Sequence, residues 1–201
     1  MTELIGTQRP ARRILDPHEA LATLEQAVPG LVHHRRPAPA AYDWAAAEDV
    51  LGTALPTDFK TLAAWYPAVE LDAFLTIASP DPGEEGAWAR CQREERAWWD
   101  SDEATDLRPP ELPRGSLLYW GNSAEGDRFL WSTVPGDPQR WPVTVCSRND
   151  AWWHYDGGMV QFLAELCDGT LDPWALPPVR PVVTHWIDDT GRARPVPEGA
   201  A

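Results

Sequence analysis

The sequence predicts an α+β domain with a mostly antiparallel central sheet and helices packed on one side. Strand-like runs cluster in its second half instead of alternating with helices. Amphipathic helical spacings precede and follow that cluster. With 43% apolar residues in 201, the chain can bury a core without metal or disulfide staples. The centre is the stretch 115–131, GSLLYWGNSAEGDRFLW. Leu117, Leu118, Tyr119 and Trp120 form one apolar run, and Phe129, Leu130 and Trp131 form another. The segment between them, Gly121-Asn122-Ser123-Ala124-Glu125-Gly126-Asp127, is polar and rich in turn formers. This predicts a β-hairpin whose loop is longer than a two-residue turn. Because apolar residues stand at adjacent positions, the hairpin should be covered on both faces.

The elements follow in order. Residues 1–15 are polar and Arg-rich and read as a loose lead-in. Asp16 then caps a helix with Pro17 at its first position and Glu19 in its first turn, and Leu21, Leu24 and Val28 face inward. Residues 33–41 read as a Pro-Ala linker with a basic patch, in which adjacent His33 and His34 point apart and make a poor metal pair. Asp43 caps a second helix with Trp44, Ala47, Val50 and Leu51 as its stripe and Gly52 as its stop. After Leu55-Pro56, Thr57 is expected to cap a third, with Asp58 at its positive end and Phe59, Leu62, Ala63 and Tyr66 inward, before Pro67 breaks it. Phe74, Leu75, Thr76 and Ile77 read as the first strand. Residues 85–99 have helical spacing through Trp88, Cys91 and Trp98, and residues 101–113 read as an exposed loop. Beyond the hairpin, Val143 to Cys146 and Trp152 to Tyr155 read as strands. Met159, Phe162, Leu163 and Leu166 then mark a closing helix that ends at Asp168-Gly169. The tail from Pro177 is Pro-rich, with an edge strand possible over 182–187 and fraying beyond.

Composition narrows the function. The chain holds 12 Trp against 4 Phe and 4 Tyr, so indoles supply much of the core and some reach the surface. Net charge is −14; residues 1–42 carry +1 and the remainder −15. An acidic body repels nucleic acid and anionic lipid and speeds encounter with a basic protein, although plain solubility is the simpler reading. Cys91, Cys146 and Cys167 show no metal spacing and fit reduced thiols, which points to a cytoplasmic protein. No apolar leader or run of about 18 apolar residues is present, so neither export nor a membrane span is expected.

Catalytic signatures are absent: there is no G-x-S-x-G, H-E-x-x-H or Walker loop. Cys146 and His154 lie on adjacent expected strands and could form a dyad, but their aromatic neighbours favour a packed thiol. Gly157-Gly158 and Gly121 lack the context of a phosphate loop. The carboxylate pairs Glu84/Glu85, Glu94/Glu95 and Asp188/Asp189 lie in solvent-like sequence where nothing raises a pKa. No catalytic, cofactor-binding or metal-ligating residue is therefore assigned. Residues 81–111 are the most acidic segment, with ten acids against four arginines. Glu84, Glu85, Glu94, Glu95, Trp98, Trp99, Asp100, Asp102, Glu103 and Asp106 are the candidates for a partner-binding surface there; a solvated insertion helix is the plainer reading.

The segments 43–67, 74–77, 115–131, 141–145 and 162–171 resemble, in order, the SUKH superfamily, also called the Smi/Knr cell-wall-regulator-like family. The most telling pieces are Trp44 with Leu55-Pro56 and Asp58, Gly126-Asp127 before the strand ending in Trp131, and the helix before Gly169. The resemblance implies a domain over 43–176 with an acidic insertion at 81–111, an N-terminal extension over 1–42 and a tail over 177–201. It also implies no catalytic residues and, in bacteria, an immunity protein that binds and neutralises a cognate toxin, here expected to be basic. The alternative is a scaffold or regulator of the Smi/Knr type that recognises peptides through Trp98, Trp99 or Trp186.

Overall fold

The aromatic hairpin becomes the middle of a nine-stranded sheet. The computed structural model describes residues 4–187 and 193–195. In chain order the strands are β1 (Leu4–Gln8), β2 (Val69–Leu71), β3 (Leu75–Ile77), β4 (Leu117–Ser123), β5 (Arg128–Ser132), β6 (Val143–Cys146), β7 (Trp152–Tyr155), β8 (Val183–Ile187) and β9 (Ala193–Pro195). They lie in the order β1-β7-β6-β5-β4-β3-β2-β8-β9. Only the β1–β7 pair is parallel. The helices are α1 (Pro17–Ala27), α2 (Trp44–Leu51), α3 (Thr57–Trp65), α4 (Glu85–Trp99) and α5 (Met159–Asp168). The α+β class with a mostly antiparallel sheet is as expected.

Alternation along the strands sends side chains to two cores. Leu118, Trp120, Phe129, Trp131, Val143, Val145, Trp153 and Tyr155 face the main core with α1, α3 and α5. Phe162 of α5 lies 5.6–6.0 Å from the rings of Trp120, Phe129, Trp153 and Tyr155, and Phe59 of α3 meets Trp131 edge-on at 5.2 Å. Leu117, Leu130, Cys146 and Trp152 face the other way, onto Trp99, Ala104 and Leu112. The hairpin is thus buried on both faces, as its adjacent apolar residues require. Helices cover the first face; the end of α4 and the loop after it cover the second.

Local chemistry fixes the hairpin. The Ser123 hydroxyl accepts from the amides of Glu125 (3.2 Å) and Asp127 (3.0 Å) and donates to the Asp127 carboxylate, which also accepts from the Arg148 amide at 2.8 Å. Asp127 therefore ties the β4–β5 turn to the β6–β7 turn. Gly121 follows a register shift in β4, and a Cβ there would sit 2.7 Å from the Thr76 carbonyl oxygen.

Several expectations are corrected. From Leu4 on, the lead-in is not loose: β1 pairs with β7, whose outer edge would otherwise leave backbone groups unpaired. Leu21, Leu24, Val28 and Leu31 lie in the main core, so residues 17–31 pack as part of the domain rather than as an appendage. Thr57 does not cap α3; its hydroxyl and amide both donate to Gln139 Oε1, at 2.6 and 2.8 Å. A short strand, β2, precedes the one expected near Phe74 and pairs with β8, so β8 is flanked on both sides. The expected fraying over 188–201 lies mostly outside the described residues.

Asp58 is the acid that positions two helices. Its Oδ1 accepts from the Phe59 amide at 2.8 Å, and its Oδ2 accepts from the Val160 amide at 3.1 Å. One carboxylate thus satisfies orphan amides in the first turns of both α3 and α5. Burial raises its pKa, while the amides of Val160 and Phe59 and the nearby Arg13 pull the other way. Asp58→Ala should cost about 2–3 kcal/mol in urea unfolding, and Asp58→Asn about half that, because one acceptor remains. A folded pKa above the unfolded one means that Asp58's contribution is full in acid and is lost as pH rises through the folded value. The wild-type chain should therefore show a stability decrement over that rise that Asp58→Asn lacks.

Candidate interaction surface

The surface is built on α4. Ala89, Gln92 and Trp99 point inward at spacings of three and seven, and Trp88 stacks on Phe59 at 5.8 Å while its indole N–H donates to the Ala78 carbonyl at 3.0 Å. The opposite stripe exposes Arg90, Cys91, Arg93, Glu94, Ala97 and Trp98. Ala89 lies in the main core and Trp99 in the second, so the helix is shared by both. The chain beyond α4 turns through a 3-10 segment, Asp102–Ala104, and buries Ala104 and Leu112. Residues 101–113 are therefore not simply an exposed loop: two apolar residues in a polar run close the second core.

The ten candidate residues divide. Glu84, Glu94, Trp98, Asp102, Glu103 and Asp106 are exposed, and Glu95 is half-buried. Glu85 is only 4% exposed, and its Oε1 accepts from the amides of Gly83 (3.0 Å) and Asp43 (3.2 Å). Its burial alone would raise the carboxyl pKa, but the amides of Gly83, Glu85 and Asp43 outweigh that and leave it lowered. Glu85 fastens α4 to the start of α2 and is withdrawn from the surface. Asp100 is also occupied within the fold: its Oδ1 accepts from Arg108 Nη1 at 3.0 Å and from the Gly115 amide at 2.8 Å. Trp99, at 4% exposure, packs edge-on against Trp152 at 5.3 Å. The expectation that Glu85, Trp99 and Asp100 meet a partner is thereby corrected; each has its contacts within the chain.

What remains outside is compact in chemistry. Trp98 is 41% exposed and rests edge-on on Trp99 at 4.7 Å. Leu107, not singled out from the sequence, is 40% exposed on the same insertion. The same segment carries the exposed acids Glu94, Asp102, Glu103 and Asp106. Asp102 has one exposed ion pair, with Arg114 at 3.5 Å. The segment offers two exposed apolar side chains in a predominantly anionic setting. The side chain of Trp186 lies outside the described residues.

The possible dyad does not form. Strand register sets Cys146 opposite Trp152, and His154 opposite Thr144. His154 Nδ1 and Thr144 Oγ1 share a hydrogen bond at 2.9 Å, while the Cys146 thiol contacts the Ser147 carbonyl at 3.9 Å. Burial, with Asp150 and Asp127 adding to it, pushes the Cys146 thiol up to about 12, the wrong direction for a nucleophile. Gly157-Gly158 links β7 to α5, where the strand and closing helix were expected, and Asp58 already occupies that helix start. Among the described residues there is no group of three His, Cys, Asp or Glu able to hold a metal, and no helix long and apolar enough to cross a membrane.

Comparison with protein-family models and with curated proteins finds no match, so the resemblance rests on its motifs.

Two outcomes follow from this packing. Trp99→Ala should cost roughly 3–5 kcal/mol in chemical unfolding, and Trp98→Ala within about 0.5–1 kcal/mol, since only the former empties a core site. With a thiol reagent at pH 8, Cys91 should react at once and Cys146 and Cys167 only at the rate of unfolding, because burial lifts both to about 12. Rapid modification of all three would contradict the two-core packing.

Proposed function

We propose that this chain is a non-enzymatic protein-binding domain, an immunity protein that captures and neutralises a basic bacterial toxin in the cytoplasm. The observation that carries the reading is Trp98, braced edge-on by Trp99 and exposed on a segment that also exposes Leu107, Glu94, Asp102, Glu103 and Asp106. A pre-ordered Trp supplies contact area at little entropic cost and is a frequent energetic anchor of interfaces. The surrounding carboxylates attract a cationic partner and repel nucleic acid. The SUKH resemblance, which implies a bacterial immunity role, supports the same reading. The rest of the net charge of −14 adds a long-range field of the same sign.

The partner to test is the toxin encoded beside this gene. Replacing Glu94, Glu103 and Asp106 by Lys should lower the association rate about tenfold or more at low salt, and the difference should shrink as salt rises. Trp98→Ala should act mainly on dissociation, with a loss of about 2 kcal/mol. Unaltered kinetics in both variants would remove this surface from the interface. Recovery of several unrelated partners and no neighbouring toxin would favour the scaffold reading instead.

A further inference from the structure

Besides the basic patch at residues 33–36, the acidic chain carries a cluster of arginines at the other end of β1. An open concavity of about 490 Å³ is lined by Arg9, Pro10, Ala11, Arg12, Arg13, Arg140 and Asp156. Its position follows from the parallel β1–β7 pair. Both strands end at the same edge, so the chain leaving β1 (Arg9 to Arg13) and the chain leaving β7 (Asp156) diverge around one hollow. Arg140 reaches the rim from the turn before β6.

The four guanidinium groups are not equally engaged. Arg13 forms a fixed floor: Nη1 donates to Asp156 Oδ1 at 2.9 Å, and Nη2 donates to the carbonyls of Gln139 and Trp141, each at 2.9 Å. Arg12 is paired with Glu19 at the surface. Arg9 approaches Asp156 only at 3.8 Å with its side chain 76% exposed. Arg140 is exposed and makes no ion pair with any described residue. Asp156 and Glu19 together offset two of the four charges, which leaves a net positive hollow with Arg9 held only by a long, exposed contact and Arg140 without an ion pair among the described residues.

We propose that this hollow is a binding site for a phosphate-class oxyanion, gripped by Arg9 and Arg140 at the rim with Arg13 and Asp156 as the organising base. Guanidinium groups match the oxygens of a phosphoryl group in fork geometry, and two that line one hollow can take separate oxygens. The volume lies in the range of small-ligand sites, and the open mouth admits either a free anion or a phosphate monoester carried on a larger molecule. The helix start of α5 takes no part, because Asp58 fills it. This site is independent of the acidic surface on α4.

The test uses the full chain in low-salt buffer, titrated with inorganic pyrophosphate and, separately, with a phosphoserine peptide. Calorimetry should show saturable one-site binding of at least one probe. The double variant Arg9→Gln/Arg140→Gln should weaken it roughly a hundredfold, about tenfold for each charge-assisted contact removed. Arg90→Gln, which removes an exposed charge from α4, should leave it unchanged. Preference for pyrophosphate identifies a free-anion site, and preference for the peptide a phosphoryl group on a partner. Absence of saturable binding of either probe, or equal losses in the double variant and Arg90→Gln, would overturn the proposal. The double variant's unfolding midpoint, expected to match wild type without ligand, separates lost binding from lost folding.

Discussion

A sheet that is apolar on both faces has to be covered twice, and most of this chain's layout answers that demand. Trp120, Phe129 and Trp131 on one side, and Leu117, Leu130 and Trp152 on the other, are each almost wholly buried. At roughly 25 cal/mol for each Å² of apolar surface removed from water, leaving either face open would forfeit several kcal/mol per aromatic residue. The helices α1, α3 and α5 close the first face. The second is closed more economically, by the end of α4 and by a polar chain that contributes only Ala104 and Leu112. The segment 81–111 is therefore both cover and surface. The segment could not be deleted as a block without uncovering Trp152.

That double duty explains why residues of one composition have opposite fates. In the acidic segment, Glu85 and Asp100 turn inward because each meets backbone amides that need an acceptor, at Gly83, Asp43 and Gly115. A carboxylate with such donors can be buried at tolerable cost, whereas one without them stays in water. Glu94 and Glu103 meet no such donors among the described residues and remain outside. The same rule governs Asp58 and Asp127, each buried and each bonded to amides from a distant part of the chain. The exposed Trp98 owes its rigidity to this framework, since Trp99 beneath it is fixed against the sheet.

Long, strongly patterned elements were legible in the sequence. The hairpin, α1 with its Asp16 cap, α2 with Asp43 and Gly52, and the closing helix before Gly169 follow from local periodicity and cap chemistry. What escaped was decided by distant partners. β1 has two apolar residues in five and sits among arginines, so only the free edge of β7 makes it a strand. β2 is three residues long, too short for a period to register. Glu85 and Glu84 are the same residue type side by side, and only the position of Gly83 and Asp43 separates a clasp from a solvated charge. Trp98 and Trp99 pose the same problem: helical phase divides an adjacent pair, and the phase of α4 is set by two cores at once. Arg13 and Arg140 are brought together across 127 positions by strand order alone.

The charge map has a physical scale. The second core, which the acidic insertion covers, receives Leu4 at the start of β1, and the arginine hollow opens beyond Gln8 at its end. A five-residue strand spans about 16 Å. The screening length at physiological ionic strength is about 8 Å, half that distance. Charges at the two ends of that strand are therefore largely screened from each other in salt. A cationic macromolecule can be drawn to α4 without the arginines repelling it, and an anion can enter the hollow without first overcoming the carboxylates. Segregation along a single edge strand thus lets one small domain present surfaces of opposite sign, each resting on the same doubly covered sheet.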